Sequence, residues 1–226
     1  SRIYVNSATL TSCPSLSILT PDYLTRFDTS KEFAIGTLSI TPISILHDAS
    51  DPVGFRITSG DATLALITDL GQVTNLVKEK TRDVDALILE CNHEVEMLWE
   101  APYPWELKQR IRSRFGHLSN EQAAEFLEEN FTQGPLAPIG ADAEATTEPN
   151  PELPLSQQIE TITEPRSKAL TRLRYVIAGH ISEKSNHPDV AIHRLKEVGS
   201  KLGTTGSSVE AVDELKVIAA GPYEPL

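Results

Sequence analysis

An α/β (α+β) fold built around one large sheet is the architecture this sequence predicts, and three observations predict it. Residues 33–68 read as successive short strands. From Ala62 to Leu89 the order is strand, helix, strand. A helix of clear 3.6-residue period then separates two later strand-like runs, Leu173–Ala178 and Leu215–Ala220.

Taken in order, the elements follow from local chemistry. Phe33–Ile35, Leu38–Leu46, Val53–Thr58 and Ala62–Thr68 are rich in Ile, Val, Thr and Phe. Ser59-Gly60-Asp61 between the last two signals a tight turn and hence an antiparallel hairpin. Gln72–Lys80 carries Val73, Leu76 and Val77 at helical spacing, and Val84–Leu89 reads as a buried strand. Pro104–Phe115 predicts a second helix with Leu107 and Ile111 on one face. Ser119-Asn-Glu-Gln122 is a capping-box start for a third, running through Ala123, Phe126 and Leu127. A last helix spans Pro188–Leu202, with Val190, Ile192, Leu195 and Val198 as its apolar positions. Between about 134 and 164, Pro135, Pro138, Pro149, Pro151 and Pro154 stand among Ala, Thr and Glu without a lysine or arginine. This predicts an acidic, disordered insertion in what is otherwise one domain over residues 1–226.

Composition bounds the function. The 226 residues suffice to bury roughly two thirds of the unfolded surface. With 39% apolar and 23% charged residues, the chain is neither wholly disordered nor collagen-like. No apolar run approaches the roughly 20 residues that cross a bilayer, so no membrane partner is expected. Cys13 and Cys91 lie far apart and make neither a disulfide framework nor a thiolate zinc site, which predicts a reducing, cytoplasmic setting. A net charge of -12 argues against a lysine-coated polyanion binder. Much of that charge sits in the proline-rich stretch, which leaves room for a local basic groove.

Three ligand-type side chains stand at carboxyl ends of predicted strands: His47, Asp69 and His180. Brought together, two imidazoles and a carboxylate suit Zn²⁺ or Mn²⁺ with a position open for water. Each alone is equally consistent with a hydrogen-bonded loop residue. Lys108, Arg110, Arg112 and Arg114 crowd one predicted helix, where Lys108 with Arg112 and Arg110 with Arg114 form two rows. Those rows are either a phosphate contact or a solvated face.

Six ordered blocks carry a resemblance: His47-Asp-Ala-Ser-Asp-Pro-Val-Gly-Phe55, Thr68-Asp-Leu-Gly71, Leu89-Glu-Cys-Asn-His93, Tyr103–Ile111, Gly116-His-Leu-Ser-Asn120 and Gly179–Asn186. Together they resemble the metallo-β-lactamase-fold hydrolases of the YycJ/WalJ-like group, with tRNase Z and the cyclic-phosphate phosphodiesterases more distant. The resemblance implies an αββα sandwich and a metal-dependent hydrolase that cleaves phosphodiester bonds, a nuclease by this reading. It implies His47, Asp69 and His180 as metal ligands, with Asp69 bridging two divalent ions, and Asp69, Glu90 and His117 as the catalytic groups. Lys108, Arg110, His93 and Asn186 are implied near substrate, and His187 replaces the second residue of the family's usual Asn-Asn pair. The family's His-x-His-x-Asp-His signature does not occur in the chain. Ser1–Ser7 resembles the strand and helix start that follow it, so the expectation is an N-terminally incomplete domain with an incomplete site. The intact form would hold two metal ions, and exposed edges could favour a homo-oligomer. Partners are then nucleic acid or a small phosphodiester. Two other readings stay open: a non-catalytic fragment or partner-binding α/β module, and a hydrolase of a small cyclic phosphate or thioester.

Overall fold

A computed structural model describes residues 2–19, 21–131, 172–203 and 216–220. The expected insertion at about 134–164 lies outside the described residues. The chain opens with β1 (Ile3–Asn6), α1 (Ser7–Ser12) and β2 (Leu24–Phe27), and β1 and β2 pair in parallel as a small sheet. Asn6 caps α1, its side chain accepting from the Thr9 amide at 2.7 Å.

The large sheet follows the expected run of strands. β3 (Phe33–Ile35), β4 (Leu38–Ser44), β5 (Val53–Ser59) and β6 (Ala62–Ile67) pair antiparallel. The β5–β6 hairpin turns on Gly60, whose φ of +57° lies where a side chain would be strained. After α2 (Asn75–Thr81), β7 (Ala86–Glu90) pairs in parallel with β6. Next come α3 (Val95–Glu100), α4 (Trp105–Ile111) and α5 (Asn120–Phe131). β8 (Tyr175–Gly179), α6 (Pro188–Gly203) and β9 (Lys216–Ala219) complete a seven-stranded sheet in sequence order.

Register decides which residues form the core. Ala65, Leu87, Val176 and Val217 align across four parallel strands, as do Ile67, Leu89 and Ala178, and all are buried. That face meets Ala123, Phe126 and Leu127 of α5 and Ala191, Leu195 and Val198 of α6 in one cluster. On the opposite face, Phe55 of β5 and Phe33 of β3 meet Phe27 of the small sheet, whose Tyr4 stacks on Phe33 at 5.6 Å between centroids. Helices, large sheet and small sheet therefore stack as successive layers, while α1 follows β1 without burying a residue. Toward β9 this second face is less covered, Ile218 remaining half exposed.

Three local expectations change. Thr74 accepts from the Val77 amide and starts α2 at Asn75, so Val73 precedes the helix and Leu76 points outward, while Val77 and Thr81 are buried. The helix expected to reach Phe115 ends at Ile111, so Arg114 leaves it and the Arg110–Arg114 row does not form. The chain instead folds back, the Gly116 amide donating to Ser113 and the His117 amide to the Ile111 carbonyl at 2.8 Å. Helix α3 was not foreseen; six residues with Leu98 alone buried carry no readable period. The capping box is as expected, Ser119 and Gln122 bonding each other's backbone amides at 3.2 and 2.9 Å.

The reversal after α4 needs two glycines face to face. A Cβ on Gly116 would lie 2.2 Å from the Arg110 and Ile111 carbonyl oxygens, and one on Gly71 would lie 2.3 Å from the Ser113 carbonyl oxygen. Gly116→Ala should therefore destabilise the fold by about 3 kcal/mol through overpacking, and also disturb the loop carrying His117. Urea unfolding checks this; a midpoint unchanged from wild type contradicts it.

Candidate metal centre

Strand direction assembles the site. β4, β6, β7 and β8 all run the same way, and their carboxyl ends lead into His47, Asp69, Glu90 and His180. Such an edge is where open α/β sheets place their ligands. The fifth group, His117, arrives from the loop between α4 and α5, held against β7's extension by the Asn92 amide donating to the Leu118 carbonyl at 3.0 Å. Asp69 and His180 both adopt left-handed backbone, with φ of +58° and +51°. Neither is glycine, so each is held there against a local cost of order 1–3 kcal/mol.

Glu90 is fully buried and organises what surrounds it. Its Oε1 accepts from Nδ1 of His180 at 2.6 Å and Nδ1 of His117 at 2.7 Å, and its Oε2 accepts from the Leu70 amide at 2.8 Å. Burial alone would raise the Glu90 carboxyl, but the hydrogen bonds from His117, His180 and the Leu70 N–H outweigh it and hold the group below its ordinary range. The bond to Glu90 in turn raises the His180 imidazole above its usual value, against the opposing effect of burial.

His47 is tied differently, Nδ1 donating to the Gly116 carbonyl at 3.0 Å. All three imidazoles thus spend Nδ1–H on an oxygen acceptor, as a metal-ligating histidine does with its supporting acceptor, and Nε2 of His47 lies 3.4 Å from Asp48 Oδ1. The rings lie in a row, His47 to His117 at 5.0 Å and His117 to His180 at 4.9 Å between centroids. Asp69, Glu90, His117 and His180 offer candidate ligand atoms all within 4.8 Å of one another. This mixed nitrogen and oxygen donor set fits a divalent cation of borderline softness. Of the three expected ligands, Asp69 and His180 fall in this group, while His47 lies beside it, next to His117.

Beside the row opens a cleft of about 240 Å³ lined by His47, Asp48, Asn92, Tyr103, Arg110, His117 and Ser182 among others. Arg110 reaches it, its Nε donating to Asp48 at 2.5 Å, and the guanidinium holds the Asp48 carboxyl below the usual range. Asp48 and Asn92 were missed in the sequence. Asn92 donates to the His180 carbonyl at 3.1 Å and so braces the strained residue. Their signals were only adjacency: Asp48 follows His47, and Asn92 follows Glu90 by two.

Two expected substrate contacts are instead interior. Asn186 is buried, its amide donating to the Cys91 carbonyl at 2.8 Å and exchanging hydrogen bonds with Asn120 at 2.8 and 2.9 Å, which leaves it nothing to offer a ligand. It locks the loop after His180 onto α5. His93 is 1% exposed and pairs along the backbone with Ser119. Lys108 donates to the Trp99 carbonyl, away from the cleft lining.

His93 carries a pH dependence. Burial lowers its pKa from 6.5 to about 4, and its Nδ1 is buried without a hydrogen-bond partner among the described residues. Between those values the unfolded chain binds a proton that the native state refuses, so stability falls as pH drops from about 6.5 toward 4. The full effect is about 3 kcal/mol. Comparing urea midpoints at pH 7 and pH 5, His93→Phe should lose less stability on acidification than wild type; equal losses contradict the assignment.

Comparison with known proteins agrees with this architecture. The family described as beta-lactamase superfamily domain matches residues 6–131, more than half of the chain. Exodeoxyribonuclease WalJ of Streptococcus pneumoniae is 38% identical over 99 residues, covering 44% of this chain and 37% of that protein. Exodeoxyribonuclease YycJ of Bacillus anthracis is 39% identical over 89 residues, covering 39% of this chain and 34% of that protein. The matched segments thus span little more than a third of these curated relatives. Among solved structures, the metallo-β-lactamase fold protein YhfI from Bacillus subtilis aligns over 87% of this chain and 58% of its own, with a TM-score of 0.53 and 16% identity. Zn²⁺-bound PqqB from Methylobacterium extorquens aligns over 100% of this chain and 62% of its own, with a TM-score of 0.52 and 15% identity. These two show the fold. With its strand-end histidines and carboxylates in place, the chain belongs to the beta-lactamase superfamily domain family and has the metallo-β-lactamase fold.

Proposed function

We propose that the protein is a metal-dependent hydrolase of phosphodiester bonds that acts on nucleic acid. The observation that carries this reading is the row of three imidazoles, each anchored through Nδ1, beside a carboxylate at the strand ends. His47, Asp69 and His180 would help hold two divalent cations, Zn²⁺ or Mn²⁺. Such ions supply positive charge for a developing phosphorane and acidify a water. The exodeoxyribonuclease names of the curated relatives support DNA as the substrate.

The chain's own groups have separable tasks. Asp69 orients ligands from its constrained turn. Glu90 stands behind His117 and fixes its ring through Nδ1, aiming Nε2 toward the cleft where the leaving oxygen would depart. Arg110 lines the cleft and contributes positive charge toward phosphate, with Asp48 fixing its position. Two unbonded cysteines, Cys91 among them buried, support a reducing cytoplasmic setting. Among the described residues no helix is long and apolar enough to cross a membrane.

The test uses the longest natural form of the protein, assayed with Mn²⁺ or Zn²⁺ on bis(p-nitrophenyl) phosphate and on single-stranded DNA. Chelation should abolish hydrolysis, and His180→Ala should lower it by about 100-fold or more. Glu90→Gln should weaken metal affinity by about 10–100-fold in a competition titration with a chromogenic chelator. Full activity in the metal-free protein, or in His180→Ala, overturns the proposal.

A further inference from the structure

Outside the metal centre, the most unusual surface lies where α3 turns into α4. Trp99 and Trp105 are 37% and 56% exposed, and their rings stack on each other at 5.3 Å between centroids and 24° between planes. Exposed tryptophans are uncommon unless they meet something. Arg112 lays its guanidinium over the Trp99 ring at 4.7 Å, and Lys108 reaches across to the Trp99 carbonyl. Phe115, 39% exposed, carries Arg114 over its ring at 4.5 Å.

Helical period explains the arrangement. Trp105, Lys108 and Arg112 are spaced i, i+3, i+7 and share one side of α4, while Leu107, Arg110 and Ile111 line the cleft on the other. The two sides meet at the turn between the helices, where Tyr103 lines the cleft beside His117. Tyr103 and Trp105 are two residues apart, which bounds their Cα separation at about 7 Å. The cleft and the tryptophan pair are therefore neighbours along the chain, joined by the turn between α3 and α4.

Charge narrows the occupant. Glu96, Glu100 and Glu106 lie on the same two helices, yet among the described residues no carboxylate forms an ion pair with Arg112 or Arg114. The more exposed ring of the pair, Trp105, beside a guanidinium group that has no carboxylate partner among the described residues, matches a chain that alternates planar bases with negative charge. A lipid headgroup brings charge without planar rings, and a peptide brings the two together only in particular sequences, whereas every nucleotide carries both.

We propose that Trp99 and Trp105, with Arg112 and Lys108, form a stacking platform for unpaired bases of a single-stranded nucleic acid whose reacting phosphate lies in the adjacent cleft. This rests on the reading of the cleft as a nucleic-acid phosphodiesterase site and adds the strand state of its substrate. Base stacking on aromatic side chains tolerates any sequence, so the platform grips the strand without reading it. Arg112 contributes both a phosphate contact and a cation over the aromatic face.

The experiment is equilibrium binding to the full chain in chelator, where nothing is cut. Two labelled oligomers of equal length and equal phosphate number are compared by fluorescence anisotropy: oligothymidylate and a chain of abasic tetrahydrofuran residues. Wild type should bind the thymidylate about 5- to 100-fold more tightly. Trp105→Ala should shrink that ratio toward one, Trp105→Phe should keep most of it and so exclude misfolding, and Arg112→Gln should reduce the salt slope on both oligomers by about one. The proposal is overturned if wild type shows no preference for the base-bearing oligomer, or if the preference survives the Trp99→Ala/Trp105→Ala pair. A concentration-dependent dimer abolished by Trp105→Ala, without base preference, would assign the patch to a second copy of the chain and overturn it as well. Hydrolysis of bis(p-nitrophenyl) phosphate by wild type with Mn²⁺ separates the two readings. Hydrolysis without base preference removes only the platform, whereas base preference without hydrolysis removes the phosphodiesterase and leaves the platform.

Discussion

The carboxylate of Glu90 sits at zero exposure with hydrogen bonds converging on both oxygens, and the rest of the centre is arranged around satisfying it. A buried carboxylate without partners would cost several kcal/mol. Here His117, His180 and the Leu70 amide each give it a hydrogen, with the Leu118 amide further off at 3.4 Å. One group thereby ties together the loop after β6, the loop before α5 and the end of β8. Each imidazole is fixed in orientation and tautomer by the same oxygen atom, so the electrostatic need of one buried acid sets the geometry of two candidate ligands.

That arrangement depends on loops brought closer than ordinary side chains would allow. Gly71 and Gly116 back onto the turn at Ser113, and the Gly116 carbonyl is the acceptor that anchors His47. Three of the sequence blocks that carry the family resemblance are thus parts of one object. The glycine after Asp69 makes room for the turn before His117, and that turn supplies the oxygen that orients His47. Asp69 and His180 complete it from left-handed backbone, held by neighbours such as Asn92 on the His180 carbonyl. Local strain at the strand ends is offset by a well-packed interior behind them, where Leu87, Leu89, Val176 and Ala178 are fully buried.

Around this rigid edge the molecule separates two kinds of surface. The cleft is polar, with Arg110 compensated by Asp48, and can accept a charged group without leaving a lone cation when empty. Across α4 the surface is aromatic and cationic, and Arg112 has only a ring as its partner among the described residues. A seven-residue helix presents both, because a period of 3.6 residues sends i+3 and i+7 to one side and the residues between them to the other.

Much of the frame was legible in the residues alone. Strand-like runs with a Gly60 turn, the Ser119–Gln122 capping box and the apolar spacing of α6 announce themselves through local rules, because each is decided within a few residues of chain. The positions of His47, Asp69 and His180 at strand ends followed from the same reading, and Glu90 from the family resemblance. Only the tertiary structure showed that Glu90 serves His180 as well as His117, since their Nδ1 atoms meet one oxygen across 27 and 90 residues of separation. It also moved Asn186 and His93 from the ligand to the interior, stopped α4 before Arg114 and stacked Trp99 on Trp105. Sequence determines which backbone each segment prefers and which side chains can bind or transfer a proton. Which of those side chains face one another is decided by packing and register, long-range terms that no local pattern contains.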